Sequence, residues 1–192
     1  MNRLNHSTPI SNETGRTTAP AWPAFHVRQA VFDHEIEQAM ALRRAVFCDE
    51  QGLFQGSDRD DIDLQARLLI AAACDVQPGQ GSVLGTVRIH EASPRLWWGS
   101  RLVVQRAMRR QARLGEQLIR LAVSTAHGLG CETFLAHVQV QNVPLFERLR
   151  WRTLDNSLAH GREHHLMQAD LAHYPPCLDP QMGFFVQAGG RP

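Results

Sequence analysis

The chain has no lysine; all twenty of its basic residues are arginine. That absence removes Schiff-base and pyridoxal-phosphate chemistry and the Walker-type phosphate loop, each of which needs a lysine amine. Arginine remains, and its planar, permanently charged fork suits phosphate recognition. Cysteine is scarce: Cys48, Cys74, Cys131 and Cys177 lie far apart without paired metal-ligand spacing, which reads as reduced thiols of a cytoplasmic protein. No apolar run approaches the roughly 18–20 residues that span a bilayer, and the N-terminus lacks the apolar core of a signal peptide. The formal net charge is only +1, too small for the footprint of a general nucleic-acid binder. Neither a membrane nor a nucleic acid is therefore expected as a partner.

What is present suits one globular domain: 192 residues, 43% hydrophobic and 20% charged. Residues 1–24, rich in Asn, Ser, Thr and Pro, read as a mobile tail. A domain over 25–174 and an extension over 175–192 follow, the latter with an apolar patch, Gly183 to Val186, able to dock. Strands are expected at Phe25 to Val31, Arg67 to Cys74, Ser82 to His90, Trp97 to Val104, Thr133 to Gln141, Arg150 to Leu154 and His165 to Leu171. Helices are expected at Glu35 to Phe47, from a start near Gln111 to Leu114 up to about Leu129, and at Asn142 to Leu149. Asp75 to Gly81 reads as a hairpin loop. Helices that interrupt a run of hairpins imply a mixed sheet covered on both faces.

The most informative stretch joins an apolar strand to that second helix. Arg106, Arg109, Arg110 and Arg113 crowd the helix start, where the helix dipole makes each cation unfavourable by roughly 0.3–1 kcal/mol. No Ser, Thr, Asp or Asn lies in the turn to cap it. A ligand with several negative charges, a phosphate above all, would relieve both problems.

The order of elements, with Val103 to Leu118, a strand, and then Asn142-Val143-Pro144-Leu145-Phe146-Glu147-Arg148-Leu149, resembles the GNAT superfamily of N-acetyltransferases. Leu42-Arg43-Arg44-Ala45-Val46-Phe47-Cys48-Asp49-Glu50-Gln51 is similar to the first helix of a branch of small bacterial members. His164 to Leu171 and Tyr174-Pro175-Pro176 resemble a bacterial subfamily associated with nitrilase-containing gene clusters. The resemblance implies a three-layer αβα fold whose central sheet is mixed, largely antiparallel, splayed, and six to seven strands wide. It also implies acetyl-CoA as donor co-substrate and direct attack by a small amine in a ternary complex. CoA pyrophosphate would sit on Arg109, Arg110, Gln111, Ala112, Arg113, Leu114, Gly115 and Glu116, with Arg113 standing where the family usually has its first glycine. Leu102, Val103 and Val104 would face the thioester and Asn142 the pantetheine amides. Phe146 aligns with the family's proton-donating tyrosine, and the only tyrosine in this chain, Tyr174, lies beyond that site.

Other groups can handle the proton. His137 shares a polar strand face with Gln139 and Gln141, and Glu50 closes the first helix; these two are the candidate catalytic residues. Asp58, Asp60, Asp61 and Asp63 would draw a cationic amine or, more simply, form a solvated capping loop. His160, His164, His165 and His173 lack a convincing tetrahedral arrangement, and no metal is expected. Two rival readings are a non-catalytic acyl-CoA sensor, motivated by Phe146, and a metal-dependent hydrolase on the C-terminal histidines. A homodimer is an assembly open to such a chain.

Overall fold

A computed structural model describes residues 24–74, 82–109, 113–159 and 161–187. Eight strands, β1 (Phe25–Gln29), β2 (Arg67–Ala73), β3 (Val83–Ser93), β4 (Leu96–Val104), β5 (Thr133–Gln139), β6 (Trp151–Ala159), β7 (Arg162–Ala169) and β8 (Phe184–Val186), form one sheet in the order β6-β7-β5-β4-β3-β2-β1-β8. Every neighbouring pair is antiparallel except β4 and β5. Helix α1 (Asp33–Arg44) covers one face, here called the front, and α2 (Leu114–Gly128) the back; α3 (Val143–Arg148) follows β5. The nearly continuous apolar run of β2 suits such double cover. Its Leu69 and Ala71 join the cluster under α2, while Ile70 and Ala72 join the one under α1. Among the described residues no helix is long and apolar enough to cross a membrane.

The expected three-layer fold is present, but with eight strands in place of six to seven. The extra strand comes from the C-terminal extension: Phe25 pairs with Val186 and Val27 with Phe184. Gly183 makes this docking feasible, with φ +53° and a hypothetical Cβ 2.0 Å from the Val27 carbonyl oxygen. The Cys177 N–H donates to the Ser124 carbonyl of α2 at 2.8 Å. The β6–β7 hairpin also runs longer than expected, because its outer residues are polar and carry little of the apolar alternation that marks a strand. The expected loop over 75–81 lies wholly outside the described residues, as does the expected tail up to residue 23.

Two local features open the sheet where a ligand can enter. The β4–β5 ladder covers only Leu96–Trp98 against Thr133–Leu135, after which the strands part. On the other side of β4, Ser100 pairs with Arg88 and Val103 with Thr86, so Arg101 and Leu102 together oppose Val87 in a β-bulge. Arg101 takes the left-handed conformation there, φ +55°.

The front wall is held by charge. The Asp58 to Asp63 run does cap a short 3-10 turn, the Asp60 N–H donating to Asp63 at 3.1 Å, but three of its carboxylates also meet three arginines from α1, β3 and β4 and are no free lure for an amine. Arg43 is fully buried and donates to Asp58 at 2.7 Å and, through both terminal nitrogens, to Asp63 at 2.6 and 3.0 Å. Arg88, also buried, grips Asp60 with both terminal nitrogens and reaches Asp63 at 3.0 Å. Arg101 joins Asp58 and Asp60, each at 3.1 Å. Burial alone would raise the Asp63 carboxyl, but the Arg43 hydrogen bonds outweigh it and hold the group well below its usual range. Replacing Arg43 by leucine leaves the buried Asp58 to Arg101 alone and the half-buried Asp63 to Arg88 alone, so Arg43→Leu should cost about 3 kcal/mol in urea unfolding. A loss below about 1 kcal/mol, the scale of a surface pair, would contradict this account.

Candidate functional site

A cavity of about 1110 Å³ lies between the end of α1, β4, the start of α2, the end of β5 and α3. Helix α1 runs on into a π-helical turn, Ala45–Glu50. That turn sends Val46 and Glu50 to this cavity and Phe47 to a second one. Of the residues expected to hold a cofactor, Leu102, Val103, Val104, Arg109, Arg113, Leu114, Gly115, Glu116, Asn142 and Phe146 all line the large cavity. Arg110, Gln111 and Ala112 lie outside the described residues.

The start of α2 matches what the sequence suggested. Its first residue is Leu114, and no side chain caps it. Arg113 precedes it with φ +49°, so the position that the family fills with glycine does demand a left-handed backbone. The helix can begin directly over β3 because Gly85 has no side chain; a Cβ there would come within 2.5 Å of Leu114 Cδ2. Among the described residues Arg113 has no ion pair, whereas Arg120 bonds Glu116 at 3.1 Å and Arg109 bonds Glu50 at 2.8 Å. Arg109 also donates to the Val104 carbonyl at 3.0 Å. Hydrogen bonding from Arg109 keeps the Glu50 carboxyl below its usual pKa.

The second cavity, about 500 Å³, shares Gln51, Leu102, Gln139, Asn142 and Phe146 with the first, so the two adjoin. The Gln139 amide donates to the Gln51 side-chain oxygen at 3.2 Å, and Arg162 donates to the Gln51 carbonyl at 2.7 Å, tying the loop after α1 to β5 and β7. His137 lines this second cavity, apart from Glu50. Its ring stacks on Trp98 with centroids 5.1 Å apart, and its Nδ1 lies 3.4 Å from Ser157 Oγ. Desolvation, then the nearby His164, lowers its pKa.

Several lining residues were not singled out from sequence. His164, considered there only as a metal ligand, is 7% exposed and lines the same cavity. Its Nδ1 lies 2.9 Å from the Arg162 carbonyl, which can only accept. The neutral ring therefore carries its proton on Nδ1 and keeps Nε2 as an acceptor. Arg88, Arg101 and His90 line the cavity too, with the Arg101 guanidinium 4.5 Å from the Phe54 ring centre. The available signal was the placing of arginines inside apolar strands, as in Val87-Arg88-Ile89, which argues for buried partners. Tyr174 is committed elsewhere: its hydroxyl donates to the Leu149 carbonyl and accepts from Trp151 Nε1 at 3.0 Å. No cluster of three or more metal-binding side chains occurs among the described residues, and His160 lies outside them.

The sequence model of the acetyltransferase (GNAT) family matches residues 36–150. No curated protein matches the sequence. Among solved structures, the chain is similar to ElaA of Escherichia coli, with a TM-score of 0.63 and 18% identity over 76% of this chain and 98% of that one. An acyl-CoA N-acyltransferase from Pseudomonas aeruginosa gives 0.62 and 20% over 76% and 99%. The CoA-dependent acyl-homoserine lactone synthase BjaI gives 0.64 and 17% over 85% and 96%. At these identities the likeness is one of fold.

The histidines give the fold a pH dependence of definite sign. His90, through burial and then Arg88, and His137 both have lowered pKa values. As pH falls through about 6.5, the unfolded chain takes up protons that these folded imidazoles refuse, and stability is lost. The urea midpoint should therefore drop between about pH 7.5 and pH 5.5, and drop less in a His90→Gln/His137→Gln double variant. Equal slopes in the two proteins would show that other groups govern this window.

Proposed function

The chain belongs to the acetyltransferase (GNAT) family, and from that premise we propose that it moves an acyl group from coenzyme A to the nitrogen of a small-molecule amine, by direct attack within a ternary complex. The observation that carries the reading is the meeting of two adjoining cavities at the β4–β5 splay. The larger has the arginine-rich helix start that suits a pyrophosphate. The smaller offers imidazoles to an incoming acceptor.

In this reading the diphosphate rests on the first N–H groups of α2 beside Arg113, and Asn142 orients the pantetheine arm. Backbone N–H groups of β4 beyond Trp98, on the side where the β5 ladder has ended, polarise the thioester carbonyl. The amine enters from the smaller cavity as the free base; its nitrogen attacks the carbonyl carbon, and the tetrahedral intermediate collapses with loss of CoA thiolate. His164 takes the ammonium proton on Nε2, with His137 beside it on the same face as the route to solvent. Glu50 serves differently, holding Arg109 at the mouth of the donor cavity. Phe146 has no proton to give, so the thiolate is protonated by water or by the proton the amine has shed.

Wild-type protein given an acyl-CoA and a panel of amines should release thiol in an acceptor-dependent way. His164→Gln should lower kcat by about 10²-fold or more, with little change in CoA affinity. Tight CoA binding without turnover on any amine would favour the sensor reading that Phe146 suggests.

Arg113 tests the donor half separately. Arg113→Gly removes a left-handed strain of roughly 1–2 kcal/mol and a phosphate partner together, so the fold should hold its stability while CoA binding weakens. Arg113→Ala keeps the strain and should weaken binding equally. Unchanged CoA affinity by calorimetry in both variants would move the diphosphate elsewhere.

A further inference from the structure

The smaller cavity is lined from both faces of the sheet, which is possible because β4 and β5 have parted. Alternation along β5 makes the division plain. His137 and Gln139 point to the front, while Phe134, Ala136 and Val138 belong to the core cluster behind the sheet. Every titratable side chain lining this cavity, namely Arg88, His90, Arg101, His137 and His164, comes from the front-facing positions of β3, β4, β5 and β7. The rear lining is apolar throughout and closed: Ile119 and Ala122 of α2, Phe134, Ala136, Phe146 and Trp151, all 7% exposed or less. Trp151 packs edge-on against Phe134 at 5.7 Å and Phe146 at 4.9 Å, which fixes the shape of the rear end.

We propose that this rear half is an acyl slot, and that the preferred donor carries an apolar chain of about four to six carbons in place of acetyl. The inference rests on the acyltransferase reading and deepens it. An amine has to shed a proton, and the groups able to receive one are all at the front. A charged or strongly polar acceptor behind the sheet would be desolvated without a partner. An acyl tail has neither need, and it starts from the point where Leu102 and Phe146 line both cavities. A methyl group is about the size of a water molecule, roughly 30 Å³, a small part of a cavity of about 500 Å³.

The test is a donor series on the full-length chain: acetyl-, butyryl-, isovaleryl- and hexanoyl-CoA at one fixed amine. Each buried methylene is worth about fourfold, so kcat/KM should rise at least about tenfold from acetyl to the best longer donor. Ala122→Leu narrows the slot and should shift the ratio back toward acetyl by a similar factor; its affinity for free CoA reports whether the variant is folded. If that variant does not fold, the wild-type series decides alone. A wild-type preference for acetyl-CoA overturns the slot and leaves the transferase standing. If no donor turns over with any amine, the transferase reading falls, and calorimetry of the donors alone decides the slot. At least about tenfold tighter binding of a longer acyl-CoA supports it, and equal affinities overturn it.

Discussion

The front of the molecule depends on a cluster of three arginines and three aspartates built around the buried Arg43, Arg88 and Asp58. Arg43, Arg88 and Arg101 come from three different elements, and Asp58, Asp60 and Asp63 from one short segment between α1 and β2. Burying Arg43, Arg88 and Asp58 is expensive, and the arrangement is tolerable only because nearly every bond is charge-assisted and two are bidentate. Its return is positional, because the segment it anchors contains only one short 3-10 turn, Asp61–Leu64. Phe54 lies under Arg101 and Gln51 bonds Gln139, so the same anchorage sets the wall of the smaller cavity. Lysine could not substitute here, since a point charge cannot grip two carboxylate oxygens in a plane.

Two of the four left-handed arginines among the described residues flank the site region, Arg101 at the bulge of β4 and Arg113 at the entrance to α2, the others being Arg95 and Arg150. Such conformations persist only where the surroundings over-determine them. Arg101 is locked by two carboxylates and an aromatic face. Arg113 is exposed and has no ion pair among the described residues, so what holds it is the close seating of α2 on β3, which Gly85 permits. One strained arginine thus stabilises the scaffold, while the other leaves its charge available where a polyanion would lie.

The back of the molecule was the more legible half. Leu114, Leu118, Leu121 and Ala122 recur at helical spacing and are all buried, and the arginine-dense turn stood out because it contradicts the helix dipole. Those are local signals. The aspartate run was misread because its partners lie 15 to 43 residues away in sequence, and polar residues near glycines look like any solvated loop. Strand β8 is three residues long and owes its existence to the edge of β1, so no periodicity could announce it. His164 was grouped with its histidine neighbours by spacing alone. On a strand, adjacent residues point to opposite faces, and only the pairing of Gln139 with His164 puts that imidazole beside the cavity.

The missing tyrosine then takes a physical meaning beyond loss. A thiol has an ordinary pKa of about 8.5, so CoA thiolate leaves without needing a strong acid beside it, and a general acid is worth roughly 10²–10⁴-fold at most. Tyr174 cannot return that factor, since its hydroxyl is already spent on Leu149 and Trp151 at the back of the fold. A phenyl ring at position 146 instead keeps the junction of the two cavities apolar on its rear side. In the proposed reading the sheet acts as a partition, with proton transfer at the imidazole-bearing front and the acyl chain at the back. The thioester carbon of that reading sits at the opening between them, where β4 has lost its partner strand.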